Sequence, residues 1–195
     1  MINTNHQVLS LDPNASLYHT QLPAELNPTP EKFEELWNMH PADFHTVTVH
    51  GKRVILPRWQ QAYEKDYTFS QNTSPALPLP PAFAPYLQWV RDHIHPPTNG
   101  LLMNWYAPEH KHYIGKHRDS TQGLVPQSPI ITISLGGSRT LRMRPWRGKG
   151  FQDFPLVHGD VYTIPYDTNL TWTHEIPHRA KDQGRRISIT CRTFA

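Results

Sequence analysis

The sequence predicts a mainly β fold with flanking helices, of the α+β class, and three observations carry that prediction. From residue 100 onward, turn signals built on Gly-Gly, Pro and Asn-Asp elements recur every 8–12 residues. They separate eight candidate strands at 100–106, 111–117, 129–135, 139–144, 154–157, 160–165, 170–174 and 185–193. The 20 prolines are about twice the average usage and cluster in 24–30 and 75–85, which favours long extended connections over a helical bundle. Helical periodicity is confined to the N-terminal third, so helices are expected to buttress one face of a sandwich or jelly roll.

Taken in order, residues 1–30 are polar and proline-punctuated, with short apolar pieces such as "QVLSL", and read as a strand plus an N-terminal arm. "TPEKFEELWNMH" reads as a helix: Thr29 caps it, Pro30 occupies the first turn, and Glu31 lies near the capping-box position. Phe33, Leu36 and Trp37 form its apolar face, and Pro41 bounds it. "HTVTVHGKRVILP" is two extended runs around His50-Gly51, a hairpin signal. "PPAFAPYLQWVRDHI" places Phe83, Leu87, Val90 and Ile94 at helical spacing.

At 195 residues, 37% hydrophobic and 11% aromatic, the chain is sized for a single domain, 1–195, with its own core. It contains no 18-residue apolar run, and "MINTNHQVLSLD" has neither a basic nor an apolar leader region. A soluble, non-exported, monomeric protein without a membrane association is expected, cytoplasmic or, in a eukaryote, nuclear. The single cysteine, Cys191, excludes an internal disulfide and a cysteine-only metal cluster, so any metal must use His and carboxylate. The net charge of +3 and the pI of about 9.0 suit a nucleic-acid partner and many other proteins.

The chemistry centres on "IGKHRDST", residues 114–121, which reads as a kinase catalytic loop, a pair of metal ligands or a polar turn. A kinase loop needs an Asn five residues after the Asp, but position 124 is Leu124, and the Gly-rich and Asp-Phe-Gly elements are missing. That reading fails. His117 and Asp119 are one residue apart, so on an extended strand end both point to one side and supply two adjacent corners of a coordination sphere. "LTWTHEIPH" offers a third ligand in His174, which ends an alternating run, or His178, which lies past Pro177 in a polar loop; His174 is preferred. Two His and one Asp suit non-haem Fe(II), although zinc hydrolases also use three ligands. The C-terminal "RRISITCRTFA" alternates Ile187, Ile189 and Cys191 with Arg186, Ser188, Thr190 and Arg192. One strand face thus carries two guanidiniums and two hydroxyls. It is either a solvated face or a fork of donors for a dicarboxylate such as 2-oxoglutarate.

These residues resemble the AlkB-type Fe(II)/2-oxoglutarate dioxygenases, which oxidatively remove alkyl groups from nucleic-acid bases. The matching pieces are "VHGKRVILPRWQQAY", "DYTFS", "NWY", "HYIGKHRD", "SPIITISLGGSRTLRMR", "LVHGDVYTI", "WTHEIPH" and "RISITCR", in order, from about residue 47 to 195. The resemblance implies a double-stranded β-helix core over 100–195 and a nucleotide-recognition lid at 45–75. It implies that His117, Asp119 and His174 bind Fe(II), and that Asn104, Tyr106, Arg186, Thr190 and Arg192 hold 2-oxoglutarate. Ser188, also counted with the co-substrate, stands where the family pattern usually has Asn. The implied chemistry consumes O2 and 2-oxoglutarate and yields succinate, CO2 and a hydroxylated carbon, which leaves an N-alkyl base as an aldehyde.

DNA or RNA is the implied partner, because a base must be flipped out or presented single-stranded before such chemistry. Tyr67 and Phe69 of "DYTFS" align with pocket-lining aromatics, Arg58 with the lid, and His50 at the hairpin tip with the wedge that replaces a flipped base. Ser120 and Thr121 stand where close relatives carry acids that recognise an alkylated, cationic base, and Ser120 is counted among the substrate contacts. Hydroxyls offer a cation no charge-assisted bond. Arg142 and Arg144, in the densest basic run, share a strand face and are expected to track a phosphate backbone. The alternatives are a dioxygenase hydroxylating a small molecule or a protein side chain, and a nucleic-acid-binding module without turnover. The intact triad and arginine pair argue against the last.

Overall fold

The computed structural model describes residues 6–49, 51–69, 72–179 and 184–195. The chain opens with a hairpin, β1 (Gln7–Asp12) and β2 (Ala15–Gln21), followed by α1 (Pro30–Trp37). A second hairpin, β3 (Thr46–Val49) and β4 (Lys52–Ile55), precedes β5 (Trp59–Tyr63), the short pair β6 (Tyr67–Phe69) and β7 (Asn72–Ser74), then β8 (Ala76–Leu77) and α2 (Ala84–His93). The remainder is β9 (Gly100–Tyr106), β10 (Ile114–His117), β11 (Ile130–Gly136), β12 (Arg139–Pro145), β13 (Gln152–Leu156), β14 (Asp160–Ile164), α3 (Tyr166–Thr171), β15 (Trp172–Ile176) and β16 (Arg186–Arg192).

Two sheets form the body. The major one has eight strands in the order β1-β2-β14-β11-β16-β9-β5-β8, and the minor one has four in the order β10-β15-β12-β13. All pairings are antiparallel except β5 with β8. This is the jelly-roll arrangement that the strand spacing predicts.

The alternation of β16 decides which face does what. Ile187, Ile189 and Cys191 are fully buried and join Met103, Trp105, Ile131, Ile133 and Leu135 on the outer face of the major sheet. Against that face pack Leu36 and Trp37 of α1, and Leu87 and Val90 of α2 with the flanking Phe83 and Ile94. Each such aliphatic or aromatic side chain contributes roughly 1.5–3 kcal/mol by leaving water. The helices therefore cover the apolar side of the sheet and leave its polar side facing the minor sheet. A second cluster, with Leu17, Ile130, Tyr162 and Ile164 from one sheet and Leu141, Met143, Leu156, Trp172 and Ile176 from the other, closes the sandwich at one end. The open end is the site.

Several elements differ from the sequence expectation. The segment 1–30 contributes a hairpin whose second strand pairs with β14, from Asp160↔Gln21 to Thr163↔Tyr18, so much of the arm is sheet. The strand expected at 111–117 begins at Ile114, because Pro108–His110 forms a 3-10 turn and Lys111 takes a left-handed φ of 53°. Helix is not confined to the N-terminal third. Pro165 starts α3, which occupies the first residues of the strand expected at 170–174 and moves it to Trp172–Ile176. Trp59–Tyr63, inside the segment expected as a lid, is a strand of the major sheet. The expected hairpin around His50-Gly51 is present as β3 and β4, with Gly51 at φ 75°, a region glycine enters freely. No helix among the described residues is long and apolar enough to cross a membrane.

Candidate functional site

Strand register brings the ligand-type residues together. On the minor sheet His117 of β10 lies directly opposite His174 of β15, so two imidazoles 57 positions apart face each other, ring centroids 4.3 Å apart. Asp119 follows β10 by two residues, and its Oδ1 sits 3.3 Å from His117 Nε2 and 3.5 Å from His174 Nε2. The ligand atoms of these three residues all lie within 4.8 Å of one another, the one such His, Cys, Asp or Glu group among the described residues. His178, the competing candidate, is exposed.

Two of the three ligands are held from behind, while His174 Nδ1 is buried without a hydrogen-bond partner. His117 Nδ1 donates to the Gly115 carbonyl at 2.8 Å, which fixes the ring and turns Nε2 towards Asp119 and His174. Asp119 is clamped at its backbone: its N–H donates to Asn169 Oδ1 at 2.9 Å, and Asn169 Nδ2 donates to its carbonyl at 3.1 Å. Burial alone would raise the Asp119 carboxyl. The Arg192 guanidinium, then hydrogen bonds from His117 and His174, hold it well below the usual carboxylate range. Burial, and then the neighbouring His117, lower His174 from the ordinary histidine value, which favours the neutral imidazole a metal requires.

The polar face of the major sheet completes the cavity. Asn104 and Ser188 are cross-strand partners, as are Tyr106 and Arg186, and Ser134 is opposite Ser188 on the other side. This strand face, for which the sequence leaves a solvated and a ligand-binding reading open, is buried along its whole length. Arg186, 1% exposed, donates through Nε to Ser134 Oγ at 2.8 Å and lies over the Tyr106 ring. Burial lowers its pKa to about 10, its Nη1 has no hydrogen-bond partner, and no ion pair to it is found among the described residues. Arg192 pairs with Asp119 through Nε and Nη2 and lies over the Tyr67 ring, while its Nη1 is also without a partner. Two buried guanidiniums with spare donors beside a three-ligand group are what a dicarboxylate bound at a metal would satisfy.

The cavity, about 1240 Å³, is lined by these residues and by Arg58, Tyr67, Phe69, Ser120 and Thr121. Tyr67 and Phe69 stack on each other at 5.5 Å and 27°. Burial, chiefly, pushes the Tyr67 phenol up to about 12, and its hydroxyl meets the backbone of Ser120. Arg58 differs from the lid role expected of it. It is buried, donating through Nε to Asn104 Oδ1 at 2.7 Å and through Nη2 to Gln60 Oε1 at 3.1 Å, so it lies in the wall between the sheet and the aromatic pair. His50, expected as the wedge, lies outside the described residues.

The phosphate-tracking role expected of Arg142 and Arg144 is opposed by their partners. Arg142 makes a bidentate pair with Asp153, its cross-strand partner, at 2.7 and 2.9 Å, and Arg144 pairs with Glu175 at 2.9 Å. Two residues at the site were not singled out from the sequence. Asn169 sits on the six-residue α3, too short for a periodic signal. Arg118, between the two ligands, turns outward, donating to the Leu170 carbonyl and lying 4.1 Å over the exposed Trp146 ring.

Comparison with known proteins agrees with this geometry. The chain is 35% identical over 161 residues to the human protein named DNA oxidative demethylase ALKBH2, covering 75% of this chain and 60% of that one. It is 32% identical to the mouse protein of the same name, covering 75% and 65%. It thus spans under two thirds of the length of these relatives. Among solved structures, OsALKBH1 superposes with a TM-score of 0.60 at 14% identity, over 96% of this chain and 100% of that one. A Burkholderia pseudomallei oxidoreductase of the 2OG-Fe(II) oxygenase family gives 0.56 at 14%, over 90% and 85%. These two show the shared fold. A family model matches residues 19–192, nearly the whole chain and all of the site, and by that match the chain belongs to the 2OG-Fe(II) oxygenase superfamily.

Proposed function

We propose that this chain is an Fe(II)- and 2-oxoglutarate-dependent dioxygenase that removes N-alkyl groups from bases in DNA or RNA. The observation that carries the reading is the buried Arg186 guanidinium, with no carboxylate partner among the described residues, in one cavity with His117, Asp119 and His174. A buried cation without a counter-charge is costly, and a dicarboxylate co-substrate removes that cost.

His117, Asp119 and His174 would hold the metal, which supplies O2 activation coupled to decarboxylation of 2-oxoglutarate. Arg186 and Arg192 offer their free Nη1 donors to carboxylates, and Asn104, Ser188 and Thr190 add neutral hydrogen-bonding groups on the same strand faces. Tyr67 and Phe69 offer a stacking wall for a flipped base. For an N-methyl base the balance is one O2 and one 2-oxoglutarate consumed, with the demethylated base, formaldehyde, succinate and CO2 released. The curated relatives' names, which specify DNA oxidative demethylation, support the substrate class.

The test is a panel of methylated oligonucleotides set against the corresponding free nucleosides, read by succinate and formaldehyde release. Metal-dependent, stoichiometric formation of both from oligonucleotides is expected. Release of neither from any oligonucleotide contradicts the reading, and turnover of free nucleosides alone moves the substrate to small molecules.

A further inference from the structure

The charges on the cavity wall are one-sided. Asp119 is the sole carboxylate among the described lining residues, and it is already committed, one oxygen to Arg192 and the other facing His117 and His174. Arg58, Arg186 and Arg192 lie in the wall, with Lys116 and Arg118 towards the mouth. Two cations bear on the aromatic pair: Arg192 lies 4.5 Å over the Tyr67 ring, and Arg58, whose hydrogen bonds go to the neutral amides Asn104 and Gln60, is electrostatically coupled to the Tyr67 phenol. Next to Tyr67, the chain offers Ser120, whose backbone meets the phenol, and then Thr121 and Gln122. This part of the wall is rich in donors and has no free anion.

Alkylated bases divide by charge. Methylation at N1 of adenine or N3 of cytosine gives a ring that is cationic near neutral pH. Methylation at N1 of guanine or N3 of thymine or uracil leaves a neutral lactam, with one carbonyl oxygen beside the methylated nitrogen in guanine and two in thymine or uracil. A cationic ring entering this cavity would lose its hydration, meet no uncommitted carboxylate of the wall, and lie within reach of like charge. A lactam ring brings acceptors to a wall that presents guanidinium, hydroxyl and amide donors.

Resting on the dealkylase reading above, we propose that the site selects neutral N-methyl lactam bases over ring-cationic ones, and that Ser120 and Thr121 set this preference. The selectivity comes from the absence of an anion as much as from the presence of donors.

The experiment compares single-stranded oligonucleotides of one sequence carrying N3-methylthymine, N1-methylguanine, N1-methyladenine or N3-methylcytosine. Two quantities are measured: kcat/KM from formaldehyde release, and Kd for the protein with Fe(II) and 2-oxoglutarate under anaerobic conditions. The two lactams should exceed the two cationic bases by about tenfold or more in both. Equal or better binding and turnover of the cationic bases overturns the proposal while leaving the dealkylase reading intact. Failure of all four to release formaldehyde overturns the dealkylase reading itself. Ser120→Asp, with Thr121→Glu as a second variant should the first not fold, should shift the ratio towards the cationic bases by about tenfold, because each restores a charge-assisted acceptor. An unchanged ratio in both removes these two residues from the assignment.

Discussion

The two ends of the cavity are built differently. At the closed end most functional residues are fixed by a further partner: His117 on the Gly115 carbonyl, the Asp119 carboxylate on Arg192 and its backbone on Asn169, Arg186 on Ser134, Arg58 on Asn104 and Gln60. At the mouth, Val54, Tyr113 and Trp146 are exposed, and the two-stranded β3–β4 sheet ends in Ile55, 64% exposed. The contrast separates two tasks. Metal and co-substrate chemistry needs groups fixed by packing before the ligand arrives, whereas recognition of a polymer needs surface left uncovered. On the proposed reading, these exposed apolar groups are where an oligonucleotide would lie.

The contrast can be broken most severely at the closed end. Asp119→Ala should abolish stable Fe(II) binding and all turnover, measured by metal content after gel filtration and by succinate release, since it removes a ligand and leaves Arg192 buried without its partner. Retained activity would mean a different ligand set. Asn169→Ala removes no metal-ligand atom and should weaken Fe(II) affinity by about 10–100-fold, as loss of an outer-shell partner does. A fall in stability without a fall in affinity would make Asn169 structural only.

At the mouth the signature reverses. Val54→Ser should raise KM for an oligonucleotide several-fold and leave the Kd for 2-oxoglutarate unchanged, because Val54 lines the outer cavity and has no described contact with Arg186 or Arg192. Equal effects on both constants would erase the distinction between the two ends. The smallest expected effect concerns the segment joining β9 to the metal strand. His112 accepts from the Ala107 N–H at 3.0 Å and packs against Trp59, and burial, chiefly, lowers it to about 4. The unfolded chain takes up this proton first, so the stability it confers is complete above pH 6.5 and is lost as pH falls towards 4. His112→Asn should flatten the dependence of the urea midpoint on pH across that window.

Parts of this were legible in the sequence for definite reasons. β9 and β16 are written as alternation and apolar runs, and both bounds fall within a residue of the expectation. The apolar faces of α1 and α2 were legible because helical spacing repeats over two turns. His117 and Asp119 are one residue apart, so local geometry alone pairs them. What stayed hidden depends on register between distant strands. Nothing local tells that Arg142 will meet Asp153, or that Arg192 will meet Asp119, 73 positions away. The clamp by Asn169 was hidden for a related reason: a single turn and a half of helix after a proline carries no periodic pattern.

On the proposed reading, Arg186 and the His117, Asp119 and His174 group form one site for a metal-bound dicarboxylate. Anaerobic calorimetric titration of 2-oxoglutarate into the Fe(II)-loaded protein tests it most directly, with Arg186→Met as the comparison. Saturable one-to-one binding that requires the metal is expected, weakened by about 30-fold or more in the variant, the cost of deleting one side of a buried charge pair. Binding that is absent from the parent protein, or equally tight in Arg186→Met, would contradict it.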